Sequence, residues 1–228
     1  VSVNGGTNID GTCSAADGTF TIASVTDPGA ANIPIAVFSD SGSSNKTTTV
    51  TLSSAGAANI TGLKLFIGRV NVTNESGTSM TNAYMATADN ADAGIRYNVA
   101  GGNLTVESGM ELHVFTGKQF APGGSVTTTS ESTSGNPGGD LHIATSATLT
   151  MTSHALSVGG DYLNEGTFSG GGAQITTFTA TGSGFTITPG TGNLRSVVFN
   201  GSGGTWTMSS GSLTINETLT ITAGNFNV

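Results

Sequence analysis

Apolar and polar residues alternate along the C-terminal stretch in units of three: Trp206-Thr-Met208, Leu213-Thr-Ile215, Leu219-Thr-Ile221 and Phe226-Asn-Val228. A strand turns successive side chains to opposite faces, so each unit buries its outer two residues and exposes the middle one. The units begin at 206, 213, 219 and 226, and Gly, Ser, Asn or Glu fill the gaps, residue types that favour corners over helices. Three short strands and three corners per circuit of about twenty residues describe one coil of a β-solenoid, and self-similarity at a short fixed period marks stacked repeats. The alternative is a β-sandwich, whose turn signals come about every 8–12 residues. The tighter spacing favours the solenoid.

The same units recur upstream as Leu104-Thr-Val106, Leu112-His-Val114, Leu141-His-Ile143, Leu149-Thr-Met151 and Leu156-Ser-Val158. Phe178-Thr-Ala180, Phe185-Thr-Ile187 and Val197-Val198-Phe199 carry the register onward. Two stretches rich in Gly, Ser and Thr, 117–139 and 159–172, read as loops leaving one corner of the stack. Gly101-Gly102 is the nearest approach to a boundary. Residues 101–228 are predicted as solenoid coils, about six of them at a rise of about 4.8 Å each. Residues 1–100 are predicted as a β-rich, less regular region, either an irregular start to the solenoid or a small sandwich. There the pattern predicts strands over 19–22, 33–38, 47–52, 60–67, 70–72 and 95–99, a turn at Asp27-Pro28-Gly29, and a short helical turn within 80–93. Pro34 has no amide to donate, which places its strand at an edge or makes it a strand start.

Composition supports an all-β fold. Charged residues make up 9% of the chain, against about 25% in ordinary domains, and Gly, Ser, Thr and Asn take their place. Strand formers and turn formers dominate, and no sustained 3.6-residue apolar stripe is present. The net charge is −8, with 6 Lys and Arg scattered along the chain. No basic patch exists to neutralise phosphates, so nucleic acid and anionic membrane surfaces are poor partners. No apolar run reaches the roughly 20 residues a membrane helix needs. The lone Cys13 has no intrachain partner and no metal-ligand spacing around it. A start at Val1 without Met fits a processed secreted protein or a piece of a longer one.

The recurring Leu-Thr-Val/Ile units, together with the run Val-Gly-Gly-Asp-Tyr-Leu-Asn-Glu-Gly-Thr-Phe over 158–168 and Ser210-Gly-Ser-Leu-Thr-Ile215, resemble the coils of bacterial surface proteins of the filamentous-haemagglutinin and autotransporter-adhesin type. The resemblance covers roughly residues 101–228. It implies a right-handed parallel β-helix, exported to the cell surface and used for adhesion or scaffolding. The recognisable N-terminal secretion cap of that group is missing.

Candidate chemistry is sparse. Polysaccharide lyases and hydrolases on β-helices need clustered carboxylates on one outer face, and the pairs to weigh are Glu107 with Glu111, Asp89 with Asp92, and Asp161 with Glu165. Glu107 and Glu111 read as solvated corner charges. Asp89-Asn-Ala-Asp92 offers oxygen ligands at loop spacing for calcium but lacks the Gly and extra acids of calcium loops. His113 and His142 both occupy the outward position of a unit, as surface histidines or, if coils bring them together, a metal pair. His154 reads as a corner residue. Trp206, Tyr97 and Tyr162 read as core or as a sugar-stacking platform, and Phe178, Phe185, Phe199 and Phe226 as an interior aromatic stack. No catalytic residue, cofactor or metal site is assigned. The expected function is therefore a structural extracellular protein, a subunit of a surface filament or an adhesin stalk. Its self-association residues are Val1 and Val3 at one end and Leu219, Ile221, Phe226 and Val228 at the other. The expected partner is a further copy added head to tail or a longer parent chain, with surface glycans as the alternative ligand.

Overall fold

Leu112, Leu141, Tyr162, Ile187 and Met208 lie one above another in parallel register, and so do Leu104, Val126, Leu156, Thr176, Val197 and Leu219. The computed structural model describes residues 1–228 apart from 15–18, 24, 26–28, 40–41, 43, 56–58 and 136. It is a β-solenoid of about 8 turns. The expected turn at Asp27-Pro28 and the surroundings of the Cys13 side chain lie outside the described residues.

Three sheets wall the core. The first contains Thr47–Leu52, Arg69–Val72, Glu111–Val114, Leu141–Ile143, Tyr162–Asn164 and Phe185–Thr188. The second contains Asn103–Val106, Val126–Thr128, Ala155–Val158 and Ile175–Phe178. The third is shorter, with Gln119–Phe120, Thr148–Thr152 and Thr167–Gly171. The last two strands, Leu194–Met208 and Ile215–Asn227, run without a break from the second sheet into the first. Glycine makes that bend possible: a Cβ on Gly201 would sit 1.7 Å from the Ala180 carbonyl oxygen and 2.8 Å from the Trp206 ring.

The triplet units do what alternation predicts. Both outer residues of the units at 104, 112, 141, 149, 156, 178 and 185 are buried. Phe178 stacks on Phe199 at 5.0 Å between centroids, and Phe199 on Phe226 at 4.5 Å. Trp206 is fully buried among Phe178, Phe185 and Phe199, so it packs the core, as do Tyr97 and Tyr162.

Three expectations are corrected. The stretch 60–67 is not a strand: Gly62 and Gly68 take left-handed φ angles of 72° and 76°, and the segment crosses the outside of the first sheet, held where Thr49 Oγ1 donates to the Lys64 carbonyl at 2.7 Å. The stretch 159–172 is not a loop, because Tyr162–Asn164 and Thr167–Gly171 are rungs. Most of 117–139 is likewise built into rungs by Gln119–Phe120 and Val126–Thr128, leaving 129–139 as the excursion. The helical turn expected within 80–93 is helix Asn82–Ala88, capped by the Thr81 side chain. Pro34 opens strand Pro34–Phe38.

The two ends of the stack differ. At the N-terminal end, Ser2–Val3, Pro34–Phe38 and Thr47–Leu52 pair antiparallel, and so do Tyr97–Ala100 and Asn103–Val106. Helix Asn82–Ala88 packs against Pro34–Phe38 and Tyr97–Ala100. It buries Met85 and Ala88 and receives the Tyr97 hydroxyl proton at the Met85 carbonyl, 2.9 Å away. At the C-terminal end Ile215–Asn227 has no further rung on it among the described residues, and Leu219 and Ile221, which continue buried columns, are 49% and 53% exposed.

Phe178→Ala, at the centre of the aromatic column, is expected to lower unfolding free energy by about 3–5 kcal/mol. Thr105→Ala, on the outer surface, is expected to change it by less than about 0.5 kcal/mol. Denaturant titration measures both, and equal effects would contradict the inward–outward assignment.

Candidate functional site

A ladder of charged and imidazole side chains, Arg69, Glu111, His113, His142 and Glu165, stands on the outer surface of the first sheet. Parallel register sets Arg69 beside Glu111, and Asn71 beside His113 beside His142. Asp140 and Asp161 immediately precede the next two strands of the sheet. One continuous chain of contacts follows. Arg69 Nε donates to Glu111 Oε2 at 3.0 Å, Glu111 Oε1 lies 3.4 Å from His142 Nδ1, and His142 Nε2 lies 3.0 Å from Glu165 Oε2. The His113 ring stacks on His142 at 4.8 Å, and its Nδ1 is 2.9 Å from Asn71 Oδ1. Phe66, from the segment that crosses the sheet, meets His113 edge-on at 5.8 Å and stacks on Phe115 at 6.0 Å, and the Arg69 guanidinium lies over the Phe66 ring at 5.5 Å.

Burial and neighbours set the proton affinities. Burial pushes His113 down to about 3, with help from the positive charge of His142 and Arg69. Burial also acts to lower His142, but hydrogen bonds and charge from Glu111 and Glu165 outweigh it and hold that imidazole above its ordinary value. Asp140 is pushed up to about 7 by burial and by Asp161, Glu111 and Glu131, against a lowering hydrogen bond from the Asp161 amide. One histidine is therefore neutral at every ordinary pH, and its stacked neighbour holds a proton more readily than a free imidazole.

Other expectations meet a mixed outcome. Glu111 is not a solvated corner charge but is 5% exposed, because the register turns it onto the sheet between Arg69 and His142. Glu107 does stay half-exposed, 3.6 Å from Arg96. His113 is buried rather than on the surface. The two histidines are brought together, but Nδ1 of His113 and both ring nitrogens of His142 face the partners named above. Among the described residues, no group of three or more His, Cys, Asp or Glu side chains is placed to hold a metal ion. The oxygens of Asp89-Asn-Ala-Asp92 cap their own turn: Asp89 Oδ1 accepts from Ala91 N, Asp92 Oδ1 from Gly94 N, and Asn90 Oδ1 from Asp92 N. Asn8 and Asn90 then tie the N-terminal arm to this turn. Asp161 Oδ1 accepts from the Thr186 amide and hydroxyl. His154 lies at a corner between strands. Val1 and Val3 belong to the closed end, where the Val1 amine donates to the Ile9 carbonyl at 2.8 Å and Val3 pairs with Ile35. Leu219, Ile221, Phe226 and Val228 belong to the open end.

Sequence reasoning missed Arg69, Asn71 and Asp140. Their signal is register: once Leu112 is set over Leu141 and Val70 under Leu112, the outward neighbours are determined, but loop lengths between these strands differ too much to be read from a period. The missed cleft beside this ladder has a volume of about 180 Å³ and is lined by Thr49, Lys64, Thr73, Glu75, Phe115 and Lys118 among others. Lys118 there reaches the Asn74 carbonyl at 2.5 Å and Glu75 at 3.9 Å.

The opposed proton affinities give a test. A group held neutral as a base, like His113, adds stability as pH rises from about 3 to its ordinary 6.5. A group held protonated as an acid, like Asp140, loses stability as pH rises from 3.8 to about 7. Each slope is at most about 1.4 kcal/mol per pH unit. Across the overlap the native chain is expected to show nearly flat stability. Asp140→Asn should make stability climb with pH, and His113→Gln should make it fall. Denaturant midpoints over this range measure the slopes, and parallel curves for all three proteins would refute the assignment.

No protein-family model, curated protein or solved structure matches the chain, so its functional reading stands on this geometry.

Proposed function

We propose that this chain is a structural element of an extracellular surface stalk or filament, lengthened by a further parallel rung laid on Ile215–Asn227. One observation carries the reading. The inward columns of the core continue into the rung Ile215–Asn227, where Leu219 and Ile221 are about half exposed and no further rung lies on them among the described residues. An edge of unpaired amides and carbonyls over bare aliphatic side chains is a template for strand addition. The opposite end carries antiparallel strands and a helix in place of parallel rungs, so addition of a parallel rung is favoured at Ile215–Asn227. The added rung comes from a longer parent chain or from a second copy. In the second case the contact is heterologous, does not close, and builds a fibre. The engagement of the weighed carboxylates in turns and ion pairs fits a structural role better than polysaccharide cleavage.

A second reading rests on the cleft beside Phe115. An aromatic ring, two lysines, a glutamate and three threonines around about 180 Å³ suit one sugar unit, so a glycan-binding adhesin is the alternative. A glycan array with native chain and Phe115→Ala separates the two, because specific glycan retention lost in the variant supports binding.

Sedimentation and negative-stain electron microscopy test the first reading. The native chain is expected to associate end-on with rising concentration. Leu219→Lys with Ile221→Lys, both at exposed positions, should leave it folded and monomeric. A native chain that stays monodisperse at high concentration would overturn the proposal.

A further inference from the structure

The 3.0 Å hydrogen bond between His142 Nε2 and Glu165 requires a proton on Nε2, because a carboxylate only accepts, while Nδ1 faces Glu111 Oε1 at 3.4 Å with no hydrogen-bond partner for either atom. A charged ring faces a carboxylate on each side, hydrogen-bonded to Glu165 and within ion-pair distance of Glu111, so the geometry is that of an imidazolium held between two rungs. The surrounding charges fit a single cation at this place. On its own strand's flank stands Asp140; from the preceding rung come Glu111 and the neutral ring of His113; beyond them is Arg69, already paired with Glu111. From the following rung come Asp161, bonded to Thr186, and Glu165, and from the excursion 129–139 comes Glu131, bonded to the Gly109 amide.

We propose that His142 is a protonation-dependent clasp that joins the rung of Glu111 to the rung of Glu165, and that loss of one proton releases Glu165 and loosens that junction. The two sides of the clasp are unequal, which determines which one opens. Glu111 is 5% exposed and its Oε1 has no hydrogen-bond partner, only this ion-pair contact, so removing the one positive charge that faces it is expensive. The Glu165 side chain is 48% exposed and can turn to water. The neutral imidazole therefore keeps its proton on Nδ1 and presents a lone pair to Glu165, which moves away. Beside it, the Glu165 amide donates to the Ile143 carbonyl at 2.8 Å, and this inter-rung bond weakens with the clasp. The stabilisation is fully present below the ordinary imidazole value and is lost as pH rises through the raised one. The inference does not depend on the stalk reading, since it concerns the side of the rod rather than its tip.

Nitrogen-15 NMR of the His142 ring in the native chain, titrated from about pH 5 to about pH 9, tests it. Expected are both ring nitrogens protonated at the acid end, a midpoint above 6.5, and the Nδ1-protonated tautomer at the basic end. Exchange of the Glu165 amide, corrected for its intrinsic pH dependence, should speed up several-fold through the same midpoint. Glu165→Gln, at an exposed position, should lower the midpoint and remove the step in exchange. Asp140→Asn should retain the step, which separates the clasp from the neighbouring acid. A midpoint at or below 6.5, a neutral ring protonated on Nε2, or a step unchanged in Glu165→Gln would each overturn the proposal.

Discussion

Parallel rungs at about 4.8 Å impose one constraint from which the rest of this molecule follows: whatever a residue is, its equivalents above and below must tolerate contact with it. Inside, the constraint selects aliphatic and aromatic columns, and hydroxyls that enter them, such as those of Thr48, Thr128 and Thr176, are bonded. Thr128 Oγ1 donates to the Gly139 carbonyl and accepts from the Gly159 amide, and Thr176 accepts from Gln174. Outside, it selects short neutral side chains over most of the surface, since like charges stacked at that spacing repel. Charge is admitted where a neighbouring rung offers its complement, as Arg69 to Glu111 and Arg195 to Glu217. The 9% charged composition is thus a product of the architecture.

The inward columns were legible because alternation is a local property. Leu104, Leu112, Leu141 and Leu156 declare their burial within three residues, and the corner glycines and serines between them declare the turns. Two kinds of feature were not legible. The stretch 60–67 alternates like a strand, yet it lies across the sheet without joining it; no local pattern distinguishes a rung from a strap over the rungs. The charged ladder depends on register between strands separated by loops of unequal length, so Glu111 looked like a corner residue until Arg69 and His142 were set beside it. The two histidines shared a unit type, which hinted at proximity, but nothing within either unit specified the offset.

The rod has three chemically distinct surfaces. At one end lie the helix Asn82–Ala88 and antiparallel strands, at the other the rung Ile215–Asn227 exposes Leu219 and Ile221, and one side carries the coupled ladder of Arg69, Glu111, His113 and His142. The ladder on its flank joins consecutive rungs through side chains as well as through backbone bonds, so lateral cohesion there responds to protons while the core does not.

Methyl NOE spectroscopy tests the parallel stack most directly. Contacts are expected from Leu112 to Leu141 and from Val114 to Ile143, together with a second series linking Leu104, Val126 and Leu156, each joining residues about one coil apart. Contacts that instead linked strands adjacent in the chain, Leu104 with Leu112 and Leu149 with Leu156 paired antiparallel, would describe two facing sheets and contradict the account.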